Sequence, residues 1–214
     1  QLSWELYFYD YARVDRSCSV TRVVELLEDL FECRLTVDEQ RHYFMFSLDI
    51  DVALLRRQRS LDSCDLYLGN VANHGAMISS GLCYHYHNSQ AQLRNLYYFY
   101  DAKTGLDDVC EKLALSIHNP SPELSLPKLL PSPLLNCRTL VVAHKPRTDA
   151  LYFSGITPAA LLYSLRRAAL PTQLSDSLAA SIDRYGHLLF DIGVDYRCNA
   201  EQVVWNKVSY YGVF

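Results

Sequence analysis

The feature of this sequence that most constrains its fold is a series of short strand-like segments, most of them in neighbouring pairs, with helical patterns between the pairs. The segments are rich in β-branched and aromatic residues, a composition that favours strands. Neighbouring strands joined by a short turn pair as antiparallel hairpins. The predicted strands cover residues 4–11, 41–50, 64–70, 79–87, 94–101, 138–145, 150–155, 187–196 and 203–213.

Four segments have helical patterns, and the predicted helices cover residues 19–32, 105–117, 157–168 and 174–185. Ser19 and Thr157 suit the N-cap position, and Pro158 suits the first turn of a helix. The segment 118–135 holds five of the eight prolines and is typical of an extended connector rather than a helix or strand. Each side of this connector looks incomplete alone, so we expect residues 1–214 to form a single domain.

The predicted strands mostly have one apolar face and one mixed face of polar and aromatic residues, because alternate residues of a strand point to opposite sides. Strict alternation puts Trp205 of the last strand on the same side as Lys207. The residues that this alternation places on mixed faces include Glu5, Tyr7, Arg41, Tyr43, Lys207, Ser209 and Tyr211.

The mixed faces predict either an enclosed polar cavity or a sheet face open to solvent. The chain has 16 tyrosines, and tyrosine suits the wall of a wet, half-apolar cavity because it offers a ring and a hydroxyl together. A closed sheet also leaves no exposed edge strands. We therefore predict an α+β fold, an antiparallel β-barrel of hairpins with helices packed outside. An open sheet with a solvated tyrosine-rich face is the alternative.

Composition excludes several classes of function. The net charge of −4 offers no basic face for nucleic acid, and no apolar run reaches the ~20 residues of a membrane span. The first residues, QLSWELYFYDYARVD, lack the pattern of a signal peptide. The seven cysteines are scattered without CxxC pairs, which predicts buried free thiols and a cytoplasmic protein.

Familiar catalytic motifs are absent or weak. The sequence has neither GxGxxG nor GxxxxGK, the glycine-rich phosphate loops, and no GxSxG. DDVCE (107–111) has the form of a diphosphate-binding acidic motif, but its aspartates fall in the first turn of a predicted helix, where they stabilise the dipole. CYHYH (83–87) puts Cys83, His85 and His87 on one strand face, with His74 nearby in sequence. We expect no metal there, although a transition-metal site is the alternative.

The arrangement of helices and antiparallel hairpins resembles the ABBA-fold aromatic prenyltransferases, in which repeated units close a PT barrel. The stretch HKPRTDALYFSGITPAALLYSLRRA (144–168) is similar to that family's strand–turn–strand segment with an LYF core, which continues into a helix. The final strand, with Lys207, Tyr210 and Tyr211, is also similar. These motifs lie within residues 138–214. The family has ten strands where this sequence predicts nine, with the strand 4–11 unpaired.

The resemblance implies a transferase of specialised metabolism that moves an isoprenoid from its diphosphate to an electron-rich aromatic acceptor. Its partners are then an isoprenyl diphosphate and an aromatic small molecule. No cofactor is expected; Mg²⁺ binding is compatible with the resemblance but not required by it. Two alternatives remain open: another condensation or cyclisation of an aromatic amine in a similar cavity, and a small-molecule binding barrel without catalysis.

The resemblance also implies roles for individual residues. A leaving diphosphate needs cationic donors, and an allylic cation is shielded by aromatic rings. Glu5 is the candidate acceptor of the aromatic proton. The predicted diphosphate ligands are Arg41, Arg94, Lys145 and Lys207, and the predicted cavity wall consists of Tyr7, Tyr43, Tyr98, Tyr152, Ser209 and Tyr211.

Overall fold

The computed structural model describes residues 3–12, 15–71, 78–168, 171–199 and 202–212. These ranges contain nine strands: β1 (Trp4–Tyr9), β2 (Met45–Ile50), β3 (Ser63–Val71), β4 (Ile78–His87), β5 (Gln90–Asp101), β6 (Thr139–His144), β7 (Asp149–Ile156), β8 (Phe190–Cys198) and β9 (Val203–Gly212). Their helices are α1 (Val20–Leu27), α2 (Val52–Leu55), α3 (Leu106–Ala114), α4 (Pro122–Leu129), α5 (Pro158–Arg167) and α6 (Thr172–Ser181). Short 3₁₀ helices lie at Ser132–Leu134 and Ile182–Tyr185.

The chain forms two compact units, an N-terminal unit (Gln1–Leu96) and a C-terminal unit (Tyr97–Phe214). Strands β1 to β4 belong to the first and β6 to β9 to the second, while β5 contributes residues to both. Each unit is α+β with antiparallel strands, as predicted. The single-domain organisation stays a prediction.

In the N-terminal unit, strands β1 to β4 pair in chain order, each antiparallel to the next. Strand β1 pairs with β2 along its whole length, from Trp4 opposite Ile50 to Tyr9 opposite Met45. The prediction that the first strand is unpaired is therefore wrong. Its hydrogen-bonding partner lies about 40 residues away in sequence, and pairing at that distance has no local signal.

One face of this sheet packs against α1. Phe46 and Leu48 of β2 are fully buried in a cluster with Val20, Val23 and Val24 of α1. The helix begins where it was predicted to begin, because the Ser19 side chain accepts a hydrogen bond from the Arg22 amide at 3.3 Å. This burial leaves the opposite face of the sheet to the polar side chains.

In the C-terminal unit, β6 to β9 also pair in chain order. Leu140 and Val142 of β6 and Phe153 of β7 are fully buried with Leu161 of α5. Helix α5 begins after Thr157, whose hydroxyl accepts from the Ala160 amide at 3.3 Å. The predicted N-cap and the predicted proline at the first helical position are both confirmed.

The proline-rich connector is more ordered than predicted. It contains α4 and the 3₁₀ helix at Ser132–Leu134, and both Leu129 and Leu134 are buried in the core of the unit. Pro122 occupies the first turn of α4, where a missing amide hydrogen costs nothing. The interpretation as an extended connector without an element is therefore wrong, because burial of leucines outweighs the helix-breaking effect of Pro127.

A β-bulge shifts the alternation in β9. Trp205 lies opposite Tyr196 and Lys207 lies opposite Asp195, so the register passes over Asn206. Trp205 consequently faces the helices, with its ring 5.0 Å from the guanidinium carbon of Arg167. The strict alternation that placed Trp205 beside Lys207 is wrong, because one extra residue turns the following side chains to the other face.

All seven cysteines are free thiols, as predicted. Burial raises the pKa of the Cys64 thiol to about 12 and that of Cys137 to about 11. Burial also raises the pKa of the Tyr67 phenol well above its ordinary value, helped by nearby Cys83 and Glu5. Among the described residues, no helix is both long and apolar enough to span a bilayer.

We expect the free energy of unfolding to fall as the pH rises above the ordinary values of 9.0 for a thiol and 10.0 for a phenol. The unfolded chain releases these protons first, so the stability present below those values is lost at a rate of about 1.4 kcal/mol per pH unit for each buried group. Urea denaturation across the alkaline range measures the slope. A Cys64→Ala variant should show a shallower slope. An unchanged slope would contradict the contribution of the buried Cys64 thiol to the pH dependence.

The Tyr196→Phe variant should be more stable than the wild type by about 1 kcal/mol. The Tyr196 side chain is fully buried, and its hydroxyl has no hydrogen-bond partner among the described residues. Tyr43→Phe is the matched control, because the Tyr43 hydroxyl donates to Glu39 at 2.6 Å and accepts from the Val20 amide at 3.2 Å. Urea denaturation should show a higher free energy of unfolding for Tyr196→Phe and a lower one for Tyr43→Phe. Equal losses in the two variants would refute the prediction.

Candidate functional site

Each unit has one sheet face that its helices leave uncovered, and the polar side chains gather there. Register defines both sets, since directly opposed residues of an antiparallel pair point to the same side. The N-terminal polar face includes Glu5, Tyr7, Ser47, Asp49, Asp65, Tyr67, Cys83, His85, His87 and Arg94. The C-terminal polar face consists of Tyr97, Lys145, Tyr152, Asp191, Gly193, Asp195, Lys207, Ser209 and Tyr211.

Glu5 is held on the N-terminal polar face by hydroxyl groups. The Ser47 hydroxyl donates to Glu5 Oε1 at 2.9 Å, and the Tyr67 hydroxyl lies 3.5 Å from the same oxygen. Both donors are buried, with 3% of Ser47 and 7% of Tyr67 exposed. One of the two oxygens of the predicted base is therefore already engaged by hydrogen-bond donors.

A second group on the N-terminal polar face is centred on Asp65. Its Oδ1 lies 2.7 Å from His85 Nδ1, and its Oδ2 accepts from Arg94 Nη1 at 3.0 Å. The Asp65 side chain is only 13% exposed, whereas Arg94 is 45% exposed. Asp65 therefore fixes the positions of one imidazole and one guanidinium on neighbouring strands.

On the C-terminal polar face, Asp195 pairs with one lysine and lies opposite another in the strand register. Lys145 Nζ lies 2.8 Å from Asp195 Oδ1, and both side chains are largely buried. Lys207 lies directly opposite Asp195 on β9 and is exposed. Since the ammonium group of lysine has three N–H donors, the bond to Asp195 leaves two donors on Lys145.

Aromatic rings line the same face. Tyr152 lies 5.8 Å from Lys145 Nζ, measured to the ring centroid, and 6.0 Å from the ring of Tyr97. The Tyr152 ring lies against β8 at Gly193, where an added Cβ atom would come within 2.5 Å of the ring. Ser209 is the residue opposite Gly193, and Tyr211 is opposite Asp191.

Asp191 has a structural contact. Its Oδ1 accepts a hydrogen bond at 2.8 Å from the amide of Gly155, whose φ of 77° favours glycine. This contact fixes the bulge at which β7 shifts its register against β8. Asp191 therefore shapes the edge of the C-terminal polar face.

Three of the predicted site residues lie elsewhere. Arg41 is exposed and precedes β2, which begins four residues later than predicted, and its guanidinium carbon is 5.5 Å from the buried ring of Tyr86. Tyr43 belongs to the core cluster beneath α1, with Arg16 stacked 3.9 Å from its ring. Tyr98 lies on the helix side, 4.4 Å from Lys112 Nζ. The structure does not bring these three to the polar faces.

The remaining predicted residues divide between the two faces. The N-terminal polar face holds Glu5, Tyr7 and Arg94, while the C-terminal polar face holds Lys145, Tyr152, Lys207, Ser209 and Tyr211. Sequence reasoning did not identify Asp65, Asp195 and Tyr97. The available signal for Asp195 was its position on the mixed face of its strand, but its lysine partner is 50 residues away.

Two motifs noted in the sequence have structural explanations. Asp107 and Asp108 lie in the first turn of α3, whose N-cap Gly105 provides no side-chain hydrogen bond. His85 and His87 pair with Asp65 and with the carbonyl of Asp62. His74 lies outside the described residues, within which no three potential ligands cluster in a geometry suited to a metal ion.

The helix surface of the C-terminal unit also has a groove of about 500 Å³, lined by α5 residues and Ile182. Arg166 and Arg167 stand at its rim, in the last turn of α5. Because α5 packs on the opposite face of the sheet from Lys145 and Asp195, this groove is separate from the C-terminal polar face.

Comparison of the chain with known protein families, with curated protein sequences and with solved structures finds no match.

The Gly193→Ala variant should displace the Tyr152 ring and lose about 1–3 kcal/mol of stability through overpacking. Urea denaturation measures the loss. Gly186→Ala is the matched control, because its added Cβ would meet its nearest atom at an ordinary 3.7 Å. Combined with Tyr152→Ala, the Gly193→Ala change should cost less than it does alone. Additive losses would contradict a clash at this position.

Proposed function

We propose that the protein is a transferase that moves an isoprenoid from its diphosphate to an electron-rich aromatic acceptor. The observation that carries this proposal is the ion pair of Lys145 with Asp195, whose register partner on the same face is Lys207, beside the ring of Tyr152. The proposal includes the PT-barrel form of the fold that the sequence resemblance implies.

The two lysines supply what departure of a diphosphate requires. Negative charge develops on the bridging oxygen as the carbon–oxygen bond breaks, and fixed cations stabilise that charge. Asp195 holds the Lys145 ammonium in place at 2.8 Å, so little reorganisation is needed when the diphosphate binds. Exposed Lys207 adds a second cation directly across the strand pair.

The aromatic side chains suit the other product of that step. An allylic cation is attracted to the faces of aromatic rings. The rings react with the cation more slowly than water does. Tyr152, 5.8 Å from Lys145 Nζ, and Tyr97, 6.0 Å from the Tyr152 ring, supply two such rings. Ser209 and Tyr211 extend the same surface along β9. The proton-accepting role of Glu5 stays a prediction.

Binding of unreactive donors tests the proposal. Dimethylallyl and geranyl thiodiphosphate should bind the wild type, and Lys145→Ala or Lys207→Ala should each weaken binding about tenfold or more, the cost of one charge-assisted hydrogen bond. Isothermal titration calorimetry gives the dissociation constants. Binding should survive EDTA, because the proposal assigns no role to a metal ion.

Lys112→Ala is the matched control, since Lys112 lies on the helix side of the same unit, over the Tyr98 ring. Its removal should leave donor binding unchanged. Lys207 is exposed, so its variant tests the charge without a loss of packing. Failure of the folded wild type to bind either analogue would refute the transferase, and binding of neutral aromatic compounds alone would favour a carrier.

A further inference from the structure

The group around Asp65 on the N-terminal polar face has the geometry of an oriented acid–base pair. His85 Nδ1 lies 2.7 Å from Asp65 Oδ1, and Arg94 Nη1 contacts both carboxylate oxygens, at 3.2 and 3.0 Å. Asp65 and His85 are directly opposed in the register of β3 and β4, so the pairing is fixed by the sheet itself. Of these three residues, only Arg94 has a role implied by the sequence resemblance, as a diphosphate ligand.

The carboxylate determines which ring nitrogen of His85 bears the proton. An ionised carboxylate only accepts hydrogen bonds, so Nδ1 of the neutral ring carries the hydrogen and Nε2 presents its lone pair. No described residue forms a hydrogen bond with Nε2 of His85, whereas Nε2 of His87 lies 2.7 Å from the Asn88 amide nitrogen. The His85 side chain is 28% exposed, so a ligand has access to it.

Arg94 provides the complementary charge. Only its Nη1 nitrogen is used in the contact with Asp65, and its side chain is 45% exposed. Its other N–H groups are available to an anionic oxygen. A ligand that gives a proton to His85 would therefore leave its negative charge beside a guanidinium held by the same carboxylate.

The chemistry of the pair selects one class of hydroxyl. Carboxylic acids have already lost their proton at neutral pH, and aliphatic alcohols hold theirs too tightly for an imidazole to remove. Phenols have a pKa near 10 in water. A neighbouring guanidinium lowers the pKa of a bound phenol, so that an imidazole can accept its proton. The half-buried ring of Tyr7 provides an aromatic surface on the same face, 6.0 Å from the buried ring of Tyr67.

We propose that Asp65, His85 and Arg94 form a binding site for a phenol, at which His85 accepts the hydroxyl proton. The phenolic O–H bond breaks as an N–H bond forms at Nε2. The imidazolium produced is stabilised by Asp65, and the phenolate oxygen is stabilised by Arg94. No electron transfer or further reactant is involved, so the step is balanced by the movement of one proton.

Other charged and titratable groups on this face do not take over that role. Glu5 Oε1 is occupied by the Ser47 hydroxyl at 2.9 Å, and burial raises the pKa of the Cys83 thiol, which therefore stays protonated. The titratable and charged groups that the register and contacts put on the same face as His85 include Asp65, Tyr67, Cys83, His87, Arg94, Glu5 and Asp49. Of these described groups, His85 combines a ring oriented by a carboxylate with a second ring nitrogen that no described residue contacts.

The inference does not rest on the donor site proposed above. All its residues lie within the N-terminal unit, and its test uses no diphosphate. A failure of donor binding leaves the phenol site standing, and a failure of phenol binding leaves the donor site standing.

4-Nitrophenol provides a direct test, because its phenolate absorbs visible light and its protonated form does not. At a pH where the free probe is mostly protonated, addition of the whole protein should increase the phenolate absorption in a saturable titration. His85→Gln should abolish this increase, and Arg94→Gln should weaken binding about tenfold. 4-Nitroanisole, which lacks the hydroxyl, should show no spectral change.

His87→Gln is the matched control, because His87 lies two residues along the same strand face and should leave the signal unchanged. Thermal unfolding of each variant shows whether it is folded. A wild type without the phenolate signal, or a folded His85→Gln variant that keeps it, would overturn the proposal. Loss of the signal in Glu5→Gln with retention in His85→Gln would assign the proton to Glu5 instead.

Discussion

Burial of one sheet face under helices is the constraint on which the rest of each unit depends. Phe46 and Leu48 pack against α1, and Leu140 and Phe153 pack with α5. Because successive side chains of a strand point to opposite faces, burial of these side chains leaves their neighbours on the opposite face. The polar and aromatic residues are thus gathered on one surface by the packing of residues that have no chemical role.

Within those surfaces, two aspartates organise the charges. Asp65 binds His85 and Arg94, and Asp195 binds Lys145 opposite Lys207. Both carboxylates are largely buried, and a buried charge is costly unless it is paired. Each buried aspartate therefore needs a paired cation, and this pairing also holds the cation where a ligand can contact it.

Much of the fold was predictable because its signals are local. Ser19 and Thr157 cap helices through side-chain bonds to amides three residues ahead, and the hairpins follow from neighbouring strand patterns. Helix α4 was not predicted because its prolines disfavour a helix. It is stabilised by the burial of Leu129, a tertiary contact that the local sequence does not show. Alternation correctly put Glu5, Lys145 and Lys207 on the polar faces, whereas Arg41, Tyr43 and Tyr98 lie away from them. The roles of these residues stay predictions.

The sequence by itself determined that antiparallel hairpins would form and that tyrosines and charges would share a face, because propensity and alternation act between near neighbours. Only the tertiary structure decided which charges meet. The bulge at Asn206 turns Trp205 away from Lys207, and Lys145 finds Asp195 across 50 residues of sequence. Such pairings depend on the register between strands, which no single strand encodes.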